Sequence, residues 1–179
     1  MQLKSVSDLF EKANRSFQKK DFESAIETYS MLLMRESGHV NAKINRGNAY
    51  TLIKSYDLAL KDYSQAIELN ANHPGLYYNR AKIYKYLKHY NLALADYEAL
   101  FRLFPDNPHA YINRGNCHLE MKSFDLAIND YGKALCLDST YYEAYYNRGC
   151  AKLHMGDEVG AFHDFKQAET IRKKLNMKV

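Results

Sequence analysis

The sequence predicts an all-α fold of stacked helix-turn-helix repeats, and three observations lead to this prediction. The tripeptide Asn-Arg-Gly or Asn-Arg-Ala occurs four times at intervals of 34 residues, beginning at Asn45, Asn79, Asn113 and Asn147. In five segments with the same period, an alanine is followed four residues later by an aromatic residue. Each segment also contains two apolar stretches with helical spacing, separated by a short break. A fixed period of this length indicates a repeat protein whose units bury a continuous core.

The repeated columns divide the chain into five windows and predict the helices of each. The windows cover residues 6–39, 40–73, 74–107, 108–141 and 142–175, with a lead at 1–5 and a short basic tail at 176–179. We expect two antiparallel helices in each window, and therefore ten helices in a single domain. N-cap candidates for the second helix stand in the break of four windows, namely Asp21, Ser55, Ser123 and Asp157. Pro74 and Pro108 fit the first turn of a following helix, where a missing N–H costs nothing.

The columns resemble the tetratricopeptide repeat (TPR) in the small residue of the first helix and the Ala-x-x-x-Phe/Tyr pattern of the second. The small residues are Ala13, Gly47, Ala81, Gly115 and Gly149, and the pattern runs from Ala25 with Tyr29 to Ala161 with Phe165. One departure is the terminal proline of the family, which survives only as Pro105. The resemblance covers nearly the whole chain. It implies a right-handed superhelix of five repeats that acts as a scaffold or adaptor for other proteins and is not an enzyme.

Composition limits the class of protein further. Of 179 residues, 46% are hydrophobic and the mean hydropathy is −0.55, so no stretch of about 18 apolar residues predicts a membrane span. The N-terminus shows no apolar signal segment, which favours a cytoplasmic protein. Cys117, Cys136 and Cys150 have no CxxC spacing, which argues against both a zinc site and a disulfide framework. We expect no metal and no cofactor.

The repeated arginines predict structural ion pairs, because a buried arginine requires a partner. Each arginine is followed 16 residues later by an aspartate, and the first window lacks both, having Lys12 and Thr28. The predicted pairs are Arg46 with Asp62, Arg80 with Asp96, Arg114 with Asp130, and Arg148 with Asp164. The alternative is a stripe of arginines that binds phosphate or an acidic ligand.

The repeated asparagines fall on another side of the first helix, which by the resemblance lines a concave groove. A carboxamide both donates and accepts hydrogen bonds, so a ladder of them can hold the backbone of an extended peptide. The predicted groove set is Asn14, Asn45, Asn48, Asn79, Asn113, Asn116 and Asn147, with Tyr78, Lys82, Tyr86, Ile112 and Tyr146 beside them. The alternative is that these amides bond neighbouring helices and bind no ligand. The sequence leaves both interpretations open.

Other functions receive less support. The last window is polar where others are apolar, as at Lys152, yet Leu153, Phe162 and Leu175 predict some exposed apolar surface that could support a homo-oligomer. A co-chaperone-like adaptor is disfavoured, because no register of the repeats assembles the full carboxylate clamp of that TPR subset. RNA binding is a minor alternative, since the net charge is only +4 and the basic residues are dispersed. Catalysis is disfavoured because the histidines lack the spacing of a helical metal site and no glycine-rich phosphate loop occurs.

Overall fold

The computed structural model describes residues 5–176, and this part of the chain contains ten α-helices and no β-strand. The helices are α1 (Val6–Gln18), α2 (Phe22–Arg35), α3 (Val40–Leu52), α4 (Tyr56–Leu69), α5 (Pro74–Tyr86), α6 (Tyr90–Leu103), α7 (Pro108–Glu120), α8 (Phe124–Leu137), α9 (Tyr142–His154) and α10 (Glu158–Asn176). The all-α fold class predicted from the sequence is confirmed. The predicted lead at 1–5 and tail at 176–179 lie almost wholly outside the described residues.

The odd-numbered helices end in a tight turn that leads directly into the next helix. At the end of α1, Lys20 adopts a left-handed backbone with φ of 62°, and the Asp21 N–H donates to the Ser16 carbonyl at 3.0 Å. This pattern is a Schellman motif, which satisfies carbonyl groups at a helix end. The left-handed position recurs at Lys54, Lys88 and Lys122, and Gly156 takes it at the end of α9. The turn therefore repeats with the sequence period.

Capping of the second helix in each pair follows the sequence only in part. Asp21 accepts from the Ser24 N–H at 3.1 Å, and Asp157 accepts from the Gly160 N–H at 2.8 Å. Ser55 and Ser123 are the N-cap residues of α4 and α8, as predicted, but the expected hydrogen bond is wrong, because their side chains make no capping contact. All these residues lie in the compact turn described above, where the longer carboxylate side chain reaches the N–H groups and the shorter serine hydroxyl does not.

The chain divides into two compact units, and the division falls between Leu87 and Lys88. In the first unit each of α1 to α4 packs against the helix that follows it, and in the second unit α6 to α9 do the same. The core of each unit contains alanines together with fully buried tyrosines, Tyr29 and Tyr63 in the first and Tyr97 and Tyr131 in the second. Whether the chain functions as a single domain of five repeats stays a prediction.

The small-residue column allows the paired helices to approach closely. A Cβ atom on Gly47 would lie 2.9 Å from the ring of Tyr63, and one on Gly115 would lie 2.8 Å from the ring of Tyr131. These distances are shorter than ordinary van der Waals contact, so the glycines make room for the aromatic column of the partner helix.

No helix within residues 5–176 is both long enough and apolar enough to cross a membrane. In the same residues, no group of three or more histidine, cysteine, aspartate or glutamate side chains is arranged to hold a metal ion. Cys117 is buried, Cys136 is exposed and Cys150 is half-buried, and none of them forms a disulfide in the described part of the chain.

Candidate interaction site

The asparagines of the first unit form hydrogen-bonded pairs between successive odd-numbered helices. Asn45 Nδ2 donates to Asn14 Oδ1 at 3.0 Å, and the Tyr29 hydroxyl donates to the same oxygen at 2.5 Å. One period later, Asn79 Nδ2 donates to Asn48 Oδ1 at 3.2 Å. Each pair thus joins α1 to α3 or α3 to α5.

The buried tyrosine column completes these pairs. The Tyr63 hydroxyl donates to Asn48 Oδ1 at 2.6 Å, and burial raises the pKa of Tyr63 to about 12, so the hydroxyl stays protonated as a donor. In the second unit, Asn147 Nδ2 and the Tyr131 hydroxyl both donate to Asn116 Oδ1, at 3.0 Å and 2.7 Å. The asparagines therefore fix the spacing of neighbouring helices, which is the structural alternative considered from the sequence.

The pairs leave part of the amide capacity unused. Asn14, Asn48 and Asn116 each accept two hydrogen bonds through Oδ1. Asn45, Asn79 and Asn147 each donate one N–H, and their Oδ1 atoms accept no hydrogen bond within residues 5–176. A carboxamide with an unoccupied acceptor can still bond a peptide N–H group. We call these three residues the outer asparagines.

The remaining residues of the predicted groove set differ in exposure. Tyr86 is 63% exposed and Tyr146 is 55% exposed, so both present large aromatic surfaces. Lys82 Nζ lies 5.5 Å from the ring centroid of Tyr78, within range of a cation–π contact. Ile112 instead packs against the core of the second unit, which leaves it less surface for a ligand.

The set does not lie within one compact unit. Residues 14–86 of it belong to the first unit, and Ile112, Asn113, Asn116, Tyr146 and Asn147 belong to the second. Asn113 is half-buried at the position of α7 that corresponds to Asn45 and Asn79.

Three of the four repeated arginines each hold the aspartate 16 residues on through two hydrogen bonds. Arg46 Nε and Nη2 lie 2.7 Å from the two carboxylate oxygens of Asp62, whose side chain is only 2% exposed. The corresponding distances are 2.8 and 2.6 Å for Arg114 with Asp130, and 2.8 and 2.7 Å for Arg148 with Asp164. This fork geometry is the strong form of the arginine–carboxylate pair. Arg80 and Asp96 lie in different units, and their pairing stays a prediction.

The electrostatics of these pairs follow from their burial and hydrogen bonds. The hydrogen bond to Asp62 raises the pKa of Arg46. Burial alone would raise the pKa of Asp164, but hydrogen bonds from Arg148 and Lys152 outweigh it and lower that pKa. Burial lowers the pKa of His118, and the carboxylate of Asp130, whose Oδ2 lies 3.8 Å from His118 Nε2, opposes this shift.

A third contact of the arginines was not predicted from the sequence. Arg46 Nη1 donates to Ser30 Oγ at 2.9 Å, and Arg80 Nη1 donates to Ser64 Oγ at 2.9 Å. Each serine belongs to the helix before that of its arginine, so the contact joins successive helix pairs. Ser30 and Ser64 each precede their arginine by 16 residues, and the corresponding positions before Arg114 and Arg148 are Glu98 and Gly132. This spacing of 16 residues is the sequence signal that could have identified the contact.

The helix pairs, the period and the bonds between successive pairs define a helical-repeat protein. Two family models, both described as tetratricopeptide repeat, match residues 40–73 and 78–144, which together exceed half of the chain. The chain belongs to the tetratricopeptide repeat family.

Solved structures of the same architecture are similar over almost the whole chain. One is MamA, with a TM-score of 0.89 and 22% identity over 92% of this chain and 96% of that one. A second is residues 41 to the end of MamA from Desulfovibrio magneticus RS-1, with a TM-score of 0.90, 19% identity, and coverage of 94% and 96%. A third is YrrB, described as a TPR protein with an unusual peptide-binding site, with a TM-score of 0.84, 20% identity, and coverage of 94% and 87%. At these identities the likeness concerns the fold. No curated protein matches the chain by sequence.

Family membership sets the broad function. Proteins of this family are generally interaction scaffolds and not enzymes. The chain accordingly falls in the class of protein-interaction scaffolds.

Proposed function

We propose that the protein binds an extended or short helical peptide on the face of its first unit that carries Asn45 and Asn79. The observation that carries this proposal is the unoccupied amide oxygen of each of these two residues. The peptide-binding site named in the description of YrrB supports it at the level of the fold. The ligand is a protein segment, and no cofactor takes part.

The amides alone would bind weakly. Each peptide contact contributes a net ~0.5 to 1.5 kcal/mol, and ordering the peptide consumes part of that gain. The exposed ring of Tyr86, in the same unit, supplies the kind of large apolar contact area that anchors peptides in most interfaces. The asparagine amides would thus hold the backbone of the peptide, and aromatic contacts would select the peptide's sequence.

The proposal is tested by selecting peptides from a displayed random library and measuring their affinity for variants. Asn45→Ala with Asn79→Ala should weaken binding about tenfold or more, because each substitution removes one unoccupied acceptor and one amide donor. The tyrosine bonds to Asn14 and Asn48 remain, so the fold should persist. A matched control is Asn41→Ala with Asn91→Ala, which changes two exposed asparagines of α3 and α6. Unchanged affinity of the first variant, or the absence of any selected peptide, would sink the proposal.

A second candidate function is self-association through the start of α10. Val159 is 70% exposed and Phe162 is 66% exposed, and both lie within the first turns of that helix. Exposed apolar patches of this kind often mark contacts between chains. Sedimentation of Phe162→Ser should then show less association than wild type, whereas Met34→Ser, at an 81% exposed methionine of α2, should not. A monomeric wild-type protein at high concentration would exclude this candidate.

A further inference from the structure

A cleft of about 660 Å³ lies in the second unit, away from the predicted groove residues. It is lined by side chains of α8 and α9, by Tyr111 of α7, and by the segment that precedes α7. The residues that matter for its chemistry are Tyr111, Gly132, Lys133, Cys136, Arg148 and Lys152. None of these belongs to the groove set.

Gly132 stands inside α8 without a packing reason for being a glycine. At Gly47, Gly115 and Gly149 a Cβ atom would come within 2.9, 2.8 and 2.7 Å of an aromatic ring. At Gly132 the nearest atom to such a Cβ would be Arg148 Nη1 at 3.9 Å, which is ordinary contact. Glycine disfavours the middle of a helix, so its presence here is unexplained by the fold. Its effect is to open the cleft.

The cleft exposes the one nitrogen of Arg148 that the ion pair does not use. Arg148 Nε and Nη2 donate to Asp164, and Nη1 has no partner within residues 5–176. In the first unit the same nitrogen of Arg46 is occupied by Ser30 Oγ. Gly132 is the residue that corresponds to Ser30 in the repeat column, so the missing hydroxyl leaves two N–H donors of a guanidinium facing the cleft.

The charges around the cleft favour an anion. Lys133, Arg148 and Lys152 line it together with a single carboxylate, Asp106. Asp164 lies behind Arg148 and is bound by that residue and by Lys152 Nζ at 2.9 Å. Lys133 Nζ lies 5.6 Å from the ring centroid of Tyr111, so a positive charge and an aromatic ring are neighbours in the cleft. The floor is completed by Ile128 and Leu137, which are apolar.

We propose that this cleft binds an acidic side chain of a partner peptide together with the apolar residue beside it. The carboxylate accepts from Arg148 Nη1 and is attracted by Lys133, and the apolar side chain packs on Tyr111, Ile128 and Leu137. A carboxylate fits better than a phosphate, because Lys133, Arg148 and Lys152 are already balanced in part by Asp106 and Asp164, and the small remaining positive charge matches a monoanion. This second site is independent of the groove.

The probe is the capped dipeptide acetyl-Leu-Glu-amide, titrated into the full chain and followed through backbone amide signals by NMR. Signals of residues 132, 133 and 136 should shift in a saturable way. The neutral analogue acetyl-Leu-Gln-amide should bind about tenfold more weakly, because it lacks the charge that the guanidinium and Lys133 recognise. No saturable shift, or equal affinity of the two probes, would overturn the proposal.

Two substitutions at Gly132 separate competition for Arg148 from simple filling of the cleft. Gly132→Ser supplies a hydroxyl where Ser30 provides one to Arg46, and it should weaken the Leu-Glu probe about tenfold. Gly132→Ala fills a little of the cleft but adds no acceptor, so it should weaken the probe clearly less than Gly132→Ser does, and equal weakening by the two would contradict competition for Nη1. Both residues favour helix over glycine, so neither variant should fail to fold. A serine variant that binds like wild type would contradict the role of Nη1.

Two further arms distinguish the source of the anion and the site. Inorganic phosphate that bound the same residues as tightly as the dipeptide would overturn the assignment to a peptide. Asn147→Ala removes an outer asparagine and should leave binding of the dipeptide unchanged, since that residue does not line the cleft. A parallel loss in Asn147→Ala would show that the probe occupies the groove and would contradict a separate site.

Discussion

Arg46 in the first unit and Arg148 in the second hold their aspartates in the same way but differ in what surrounds the rest of the side chain. Around Arg46, Ser30 occupies the third nitrogen and the ring of Tyr50 lies 5.8 Å from the guanidinium carbon. Around Arg148, glycine replaces the serine, and Lys152, in the place of Tyr50, binds the aspartate. The comparison teaches that one repeated contact can serve the fold in one place and leave a binding surface in another.

The largest expected effect comes from removing Asp62, the aspartate that Arg46 binds. Asp62→Ala should lower the free energy of unfolding by about 3 kcal/mol, because Arg46 is left as an uncompensated charge beside the core. Urea unfolding followed by circular dichroism measures this loss. Glu68→Ala, an exposed change on the same helix, should stay within about 0.5 kcal/mol. A loss below about 1 kcal/mol for Asp62→Ala would show that water solvates the arginine.

The next effect concerns the contact that Arg46 has and Arg148 lacks. Ser30→Ala should cost about 1 to 1.5 kcal/mol, because it removes the acceptor of a charged donor at the joint between two helix pairs. Ser16→Ala, a change at another half-buried serine in the first unit, is the control. If both substitutions have the same small effect in urea unfolding, the hydrogen bond from Arg46 to Ser30 does not stabilise the fold.

A substitution beside Arg148 should change stability in the opposite direction. Gly132→Ala should raise stability by about 0.5 to 1 kcal/mol, since alanine favours the middle of a helix and has room at this position. Gly115→Ala is the matched control, because its Cβ would meet the ring of Tyr131 at 2.8 Å and should cancel that gain. Thermal unfolding of the two variants measures the difference. Destabilisation by Gly132→Ala would contradict the open geometry.

The smallest effect is on the acid titration of Asp164. Its folded pKa is lowered, with burial opposing and the bonds from Arg148 and Lys152 prevailing. Its contribution to stability is therefore present above the unfolded pKa near 4 and is lost as the pH falls through the folded pKa. Lys152→Gln should move that pKa upward, as seen in the carbon-13 shift of the carboxyl group. An unchanged titration would show that Arg148 alone sets the pKa.

The sequence predicts the helices well because period, apolar spacing and small-residue columns all report on packing within one helix pair. The spacing of 16 residues also pointed to arginine and aspartate as partners, since both vary together between windows. The contact from Ser30 was missed because it joins successive pairs, and nothing in a single window reveals that neighbour. The left-handed backbone at Lys20, Lys54, Lys88 and Lys122 was not predicted, because glycine is the residue expected at such a position.

The same limit applies to the asparagines. The repeated positions of the asparagines and of the tyrosines are both visible in the sequence. Repetition alone does not show which amide atoms already form hydrogen bonds within the protein. Hydrogen bonds such as that from Tyr63 to Asn48 depend on the distance between two helices. Only the structure separates Asn48, whose oxygen is used twice, from Asn79, whose oxygen is not.

The buried tyrosines give the protein an internal optical reporter of its own unfolding. The chain has 16 tyrosines and no tryptophan, so tyrosine dominates its near-ultraviolet absorbance, to which the phenylalanines add only weakly. Burial raises the pKa of Tyr63 to about 12 from the ordinary 10.0. The contribution of this group to stability is therefore fully present below pH 10.0 and is lost as the pH rises through about 12. In an alkaline titration the exposed rings ionise first, and a later, steeper rise in absorbance marks the release of the column that holds the helices together.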